Sequence, residues 1–130
     1  MTPYEAGMGS LVDLRKSDFL GRSALERADH RCRTWGLQCP EGVARHGDTL
    51  WHDGRGAGRV LSSAWSPTLQ CGVAIVRMHD PEHRPGQALD VQCTDGDTHA
   101  ATLCELPMYD RNGDIPRGRA TELPEIPSAR

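Results

Sequence analysis

The chain has 130 residues, enough for one domain with a short tail but not for two domains. Leu, Ile, Val and Phe number 22, about 17% of the chain, and the formal net charge is −3. This balance predicts a folded domain with a thin core that rests against a partner. There is no apolar run near the roughly 20 residues of a membrane span, no leader-like start and no basic run. We therefore expect a cytoplasmic protein that binds neither membrane nor nucleic acid.

Residues 1–30 read as a connector that contains one short helix. Leu20, Ala24 and Ala28 recur at a spacing of four, which suits one helical face, and they predict a helix over Arg22–Asp29. Ser17-Asp18 offers side-chain oxygens that could cap the amides at its start.

Short strands separated by turn residues follow from residue 31 onward. Two Asp-Gly pairs, Asp53-Gly54 and Asp95-Gly96, predict tight turns and hence two hairpins. The most apolar strand, Gly72–Met78, is predicted to be central. The other predicted strands are Thr34–Gln38, Thr49–His52, Gly58–Trp65, an alternating strand through Leu89, Val91 and Cys93, and Thr98–Leu106. Strands at this spacing without intervening helices predict a mainly β fold, a small antiparallel barrel or sandwich over residues 31–118. Residues 119–130 are predicted to form an extended or disordered tail.

The residues alone point to no catalytic group and no metal site. The five cysteines are odd in number and scattered, which predicts reduced thiols in the core or at its rim. No histidine or cysteine grouping has zinc-site spacing, and Pro81 separates His79 from His83. The glycines of segment 54–58 lie between two strands, so a hairpin turn is favoured over a phosphate loop.

Six stretches in sequence order nevertheless form a family pattern over about residues 2–118. They are Thr2-Pro3-Tyr4-Glu5-Ala6-Gly7-Met8-Gly9, the segment Lys16–Leu25, Ala44-Arg45-His46-Gly47, Gly58–Leu69 ending in Ser66-Pro67-Thr68-Leu69, Gly72-Val73-Ala74-Ile75-Val76, and Pro107-Met108-Tyr109-Asp110. In this order they resemble the C-terminal barrel part of the glycine-cleavage T-protein (aminomethyltransferase) family. The last stretch is most similar to the dimethylglycine and sarcosine dehydrogenase branch, or to the dimethylsulfoniopropionate demethylase branch.

The resemblance implies a small antiparallel β-barrel behind a helix-bearing connector, and a setting of tetrahydrofolate-dependent one-carbon transfer. The family's catalytic aspartate and its pterin-binding glutamate lie in a larger N-terminal portion that this sequence does not match, so no catalytic residue is assigned. Some members carry an arginine near the folate tail in this closing segment, where Tyr109 and Asp110 stand here, and Arg111 is the nearest candidate for it. Arg111 and Tyr109 are therefore the candidate folate contacts that the resemblance implies. The alternatives are a solvated turn arginine and a tyrosine that covers the end of the barrel.

The leading functional hypothesis is a small subunit of a split transferase, inactive alone, that completes a folate site with a separately encoded folate-binding chain or a larger dehydrogenase or demethylase. Met1 standing at the family's domain junction favours this hypothesis. The alternative is a non-catalytic binding or regulatory module on the same barrel. Residues 2–28, with Pro107–Arg117 beside them, are the predicted partner surface, or a homodimer surface if no partner exists. A connector that merely caps the barrel is the competing interpretation.

Overall fold

Six antiparallel strands close into a barrel in the computed structural model, which describes residues 1–122. The strands are β1 (Thr34–Cys39), β2 (Thr49–His52), β3 (Arg55–Ser66), β4 (Cys71–Met78), β5 (Ala88–Gln92) and β6 (Thr98–Cys104). Around the barrel their order is β1-β4-β3-β2-β5-β6, and β6 pairs again with β1. The predicted mainly β fold is confirmed, and the closed sheet shows that it is a barrel and not a sandwich.

Both predicted hairpins form at their Asp-Gly turns. Asp53 and Gly54 take φ of 49° and 73°, the pair of positive values that a two-residue turn with matching twist requires. This turn joins β2 to β3, and the glycines of segment 54–58 accordingly belong to a hairpin. Gly96, with φ of 93°, lies in the turn between β5 and β6.

The core fills the barrel with small and medium-sized apolar side chains. The alternation is clearest in β5, where Leu89 and Val91 are buried on either side of the exposed Asp90. The largest fully buried residues are Leu37, Leu50, Met78, Leu103, Val60, Val76, Val91, Cys39 and Cys93. Of the three tryptophans, Trp35 packs against the core, whereas Trp51 and Trp65 are 44% and 52% exposed.

The connector contains a 3-10 turn (Gly9–Leu11) and a helix, α1 (Arg22–Glu26), that is shorter than predicted. The predicted cap at Ser17-Asp18 is wrong, because the N-cap is Gly21 in the left-handed region, with φ of 88° and no side-chain cap. After Glu26 the helix tightens and ends, since the Leu25 carbonyl oxygen accepts the Ala28 amide at 3.3 Å and lies 2.9 Å from the His30 ring Nε2. None of its residues is buried.

The remaining observations concern the predicted tail and the length of the helices. The predicted tail, residues 119–130, falls mostly outside the described residues. Within residues 1–122 there is no helix long and apolar enough to cross a membrane.

Candidate functional site

The start of the connector is fixed to the barrel. Tyr4 is 8% exposed, and its ring stacks on that of His30 with centroids 4.0 Å apart. The Glu5 carbonyl accepts the Arg33 amide at 3.0 Å, and the Glu5 carboxylate lies 3.3 Å from the Arg77 guanidinium. The pKa of the Glu5 carboxyl is held below its ordinary value, mainly by the hydrogen bond from the Thr2 backbone amide and next by the charge of Arg77. Tyr4 and Glu5 therefore hold the start of the connector against β4 and against the residues just before β1. We call these two residues the strap.

Beyond this strap the connector exposes large apolar side chains. Met8, Leu11 and Leu20 are 48%, 79% and 104% exposed. Singly exposed apolar residues are ordinary, but these three lie within 13 positions of one segment, which makes that segment the candidate interaction surface. We call these three residues the exposed connector residues. The connector thus caps the barrel in its first part only.

The segment after β6 carries Tyr109 and Arg111, the two candidate folate contacts. The Asp110 carboxylate between them accepts the backbone amides of Asp114 and Ile115 at 2.8 and 3.1 Å, which fixes the turn. Tyr109 is 38% exposed, and Arg111 is exposed and ion-paired with Glu105. The turn therefore exposes an aromatic residue and an arginine two positions apart in the chain.

Both segments come close to β1. A Cβ on Gly7 would be 3.9 Å from the Thr34 carbonyl oxygen, and a Cβ on Gly36 would be 3.1 Å from the Met108 methyl group. The connector therefore reaches the start of β1, and the closing segment covers Gly36 two residues further along the strand.

All five cysteines are free thiols. Cys39 and Cys93 lie inside the barrel with their Sγ atoms 3.6 Å apart. Burial raises the pKa of Cys93 to about 12 and that of Cys104 to about 11. These thiols are thus protonated near neutral pH and unreactive as nucleophiles.

One cluster of ligand-type side chains was not considered from the sequence. Asp95, Asp97 and His99 surround the turn between β5 and β6, and their ligand atoms lie within 4.8 Å of one another. Both ring nitrogens of His99 already face carboxylates, Nε2 that of Asp95 at 2.7 Å and Nδ1 that of Glu41 at 3.3 Å. The close spacing of Asp95, Asp97 and His99 in the sequence is the signal that could have indicated this cluster. We interpret the cluster as a set of charged contacts that stabilises the hairpin.

A closed six-stranded antiparallel barrel that carries an N-terminal strap defines the structural class of the protein. The model of the glycine cleavage T-protein C-terminal barrel domain matches residues 33–110. The chain therefore belongs to this family, as the sequence motifs predicted.

Similar proteins agree with this assignment. The chain is 42% identical over 113 residues to an aminomethyltransferase of Synechococcus sp. (strain WH7803), and 39% identical over 113 residues to one of Nostoc sp. (strain PCC 7120). Each match covers 83% of this chain and 30% of the relative. The crystal structure of glycine cleavage system aminomethyltransferase T from Bartonella henselae superposes with a TM-score of 0.69 and 24% identity, over 85% of this chain and 32% of that one. The chain thus spans about a third of the length of these proteins.

Proposed function

We propose that the chain is the small subunit of a split tetrahydrofolate-dependent one-carbon transferase, and that it completes a folate site with a separately encoded folate-binding chain. The observation that carries the proposal is the exposure of Met8, Leu11 and Leu20 on the connector of a barrel of the glycine cleavage T-protein family. An apolar surface of this kind is stabilised when a partner removes it from water.

Tyr109 and Arg111 are the residues that we propose to contact folate. Their positions fit such a ligand, because a guanidinium pairs bidentately with carboxylates, and folate carries a glutamate tail. The half-exposed Tyr109 ring offers an apolar face for the flat part of the molecule. Arg111 would exchange its surface pair with Glu105 for the ligand carboxylate. Tetrahydrofolate, when bound, supplies the acceptor for the one-carbon group, and the catalytic acid or base comes from the partner.

The test is affinity purification from the source organism with the full chain as bait, followed by mass spectrometry. The proposal predicts recovery of a folate-binding polypeptide in stoichiometric amount. A bait carrying Met8→Asp and Leu11→Asp should fold normally, because both side chains are exposed, and should lose that partner. A bait carrying Lys16→Asp, an exposed change in the same segment, is the control and should retain it.

The alternative function is a non-catalytic module that docks on another enzyme through the same surface. Stoichiometric recovery of an enzyme without folate-binding activity, lost with the same double substitution, would replace the transferase hypothesis with this one.

A further inference from the structure

Three arginines converge on one pocket at the barrel surface. The pocket has a volume of about 400 Å³ and is lined by Arg33, Arg59, Leu61, Arg77, Met78 and His79. Arg59 on β3 stands directly opposite Arg77 on β4, and Arg77 in turn faces Thr34, the residue after Arg33. The strand register therefore places Arg59 and Arg77 on the same outer face, and Arg33, which directly precedes β1, joins them at the pocket.

The negative charge near these arginines does not reach all of them. Glu5 lies 3.3 Å from Arg77 and 3.9 Å from Arg33, and so its single carboxylate is shared between two cations. Asp29 lies 3.8 Å from Arg33 but is held mainly by Arg31, at 2.8 Å. Within residues 1–122, Arg59 has no carboxylate within 4.0 Å.

Like charges directly opposite each other on neighbouring strands destabilise a sheet. Arg59 and Arg77 form such a pair, and among the described residues the nearby Glu5 carboxylate contacts Arg77 but not Arg59. An oxyanion between the two guanidinium groups would replace this repulsion by two charge-assisted hydrogen bonds.

The pocket is also partly preorganised. Arg33 donates from Nη1 to the His79 carbonyl oxygen at 3.0 Å, and its Nε is buried without a hydrogen-bond partner. Arg77 is held by the Glu5 carboxylate. Fixed guanidinium groups lose little side-chain entropy when they bind a ligand, and the planar fork of arginine suits carboxylate and phosphate oxygens.

We propose that this arginine pocket, formed by Arg33, Arg59 and Arg77, is a binding site for an oxyanion, a carboxylate or phosphate group. It is distinct from the exposed connector residues and from the Tyr109–Arg111 turn. Arg59 is the residue on which the site depends, because the other two arginines already share a carboxylate.

The test is isothermal titration calorimetry of the full chain at pH 7 and constant ionic strength, with inorganic phosphate in one arm and tri-glutamate peptide in the other. Arg59→Gln should weaken binding at least tenfold. Arg55→Gln removes the same charge from an exposed position at the start of the same strand, and should change binding less than twofold. Arg59→Lys keeps the charge without the fork and should fall between them. Thermal unfolding of each variant checks that it is folded.

The two arms distinguish the source of the oxyanion. Phosphate binding as tight as that of the peptide identifies a free small anion, whereas peptide binding at least tenfold tighter identifies an acidic segment of a protein. The proposal is overturned if neither binds above the effect of chloride at matched ionic strength, or if Arg55→Gln weakens binding as much as Arg59→Gln, because both results describe general charge screening.

Discussion

Replacing Gly72 by alanine tests how closely the loop before β2 is packed on the barrel. A Cβ at this position would lie 1.8 Å from the Gly42 carbonyl oxygen and 3.0 Å from the Val43 Cα. Because both atoms belong to the backbone, no side-chain rotation relieves the overlap. The loop would have to retreat by about 1.6 Å to reach an ordinary contact of 3.4 Å.

That movement strains the hydrogen bonds by which the loop is attached to the barrel. The Val43 carbonyl accepts the Thr94 amide at 2.9 Å, and the Arg45 amide donates to the Gln92 carbonyl at 2.8 Å. Overpacking costs about 1–3 kcal/mol, and a lost hydrogen bond about 1 kcal/mol. We therefore expect Gly72→Ala to reduce the free energy of unfolding by about 3 kcal/mol, which lowers the thermal midpoint by roughly 10 °C.

Urea unfolding followed by circular dichroism measures the difference. Gly56→Ala is the matched control, because it adds the same methyl group to a strand glycine whose nearest neighbour, a Thr49 methyl group, would lie at 3.4 Å. We expect it to change the free energy of unfolding by less than about 1 kcal/mol. A Gly72→Ala protein as stable as the control would refute the packing of this loop against β4.

Three further predictions concern titration, thiols and activity. The hydrogen bond to Asp95 raises the pKa of His99. The contribution of this pair to stability is therefore complete below the ordinary pKa of 6.5 and is lost as the pH rises through the raised pKa. Urea midpoints should fall over that pH range in the natural chain but not in His99→Gln. A thiol reagent at pH 8 should label Cys32 rapidly but Cys93 only on unfolding, because burial raises the pKa of Cys93 to about 12. The denatured protein should show five thiols. A Cys32→Ala variant that keeps the fast labelling phase would contradict this prediction. The purified chain with tetrahydrofolate should not turn over dimethylglycine or sarcosine, and measurable turnover would show that it carries its own catalytic group.

The strands and hairpins could be predicted because their signals are local. Alternation at Leu89, Val91 and Cys93 fixes which side chains point inward, and Asp53-Gly54 supplies the positive φ values that the turn needs. The end of the helix was not predicted, since the Leu25 carbonyl oxygen is bonded by the Ala28 amide and the His30 ring, contacts that periodicity does not register.

The arginine pocket and the Glu5 strap could not be predicted for a different reason. Arg59 and Arg77 become neighbours only through the pairing of β3 with β4, and a shift of one residue in that register would move Arg59 to the other face. Glu5 reaches Arg77 across 72 positions of sequence. Tyr109 and Arg111 were found through the family motif, and their roles as folate contacts stay a prediction.

The central claim is that this barrel completes a folate site on another chain. Its most direct test is calorimetric titration of tetrahydrofolate into the folate-binding chain recovered with it. The titration is run in the absence and in the presence of this barrel chain. The account predicts at least tenfold tighter binding when the subunit is present. It also predicts that Tyr109→Ala or Arg111→Gln removes most of that gain, while Arg119→Gln, an exposed change in the same closing region, does not. Equal folate affinity with and without the subunit would contradict the account.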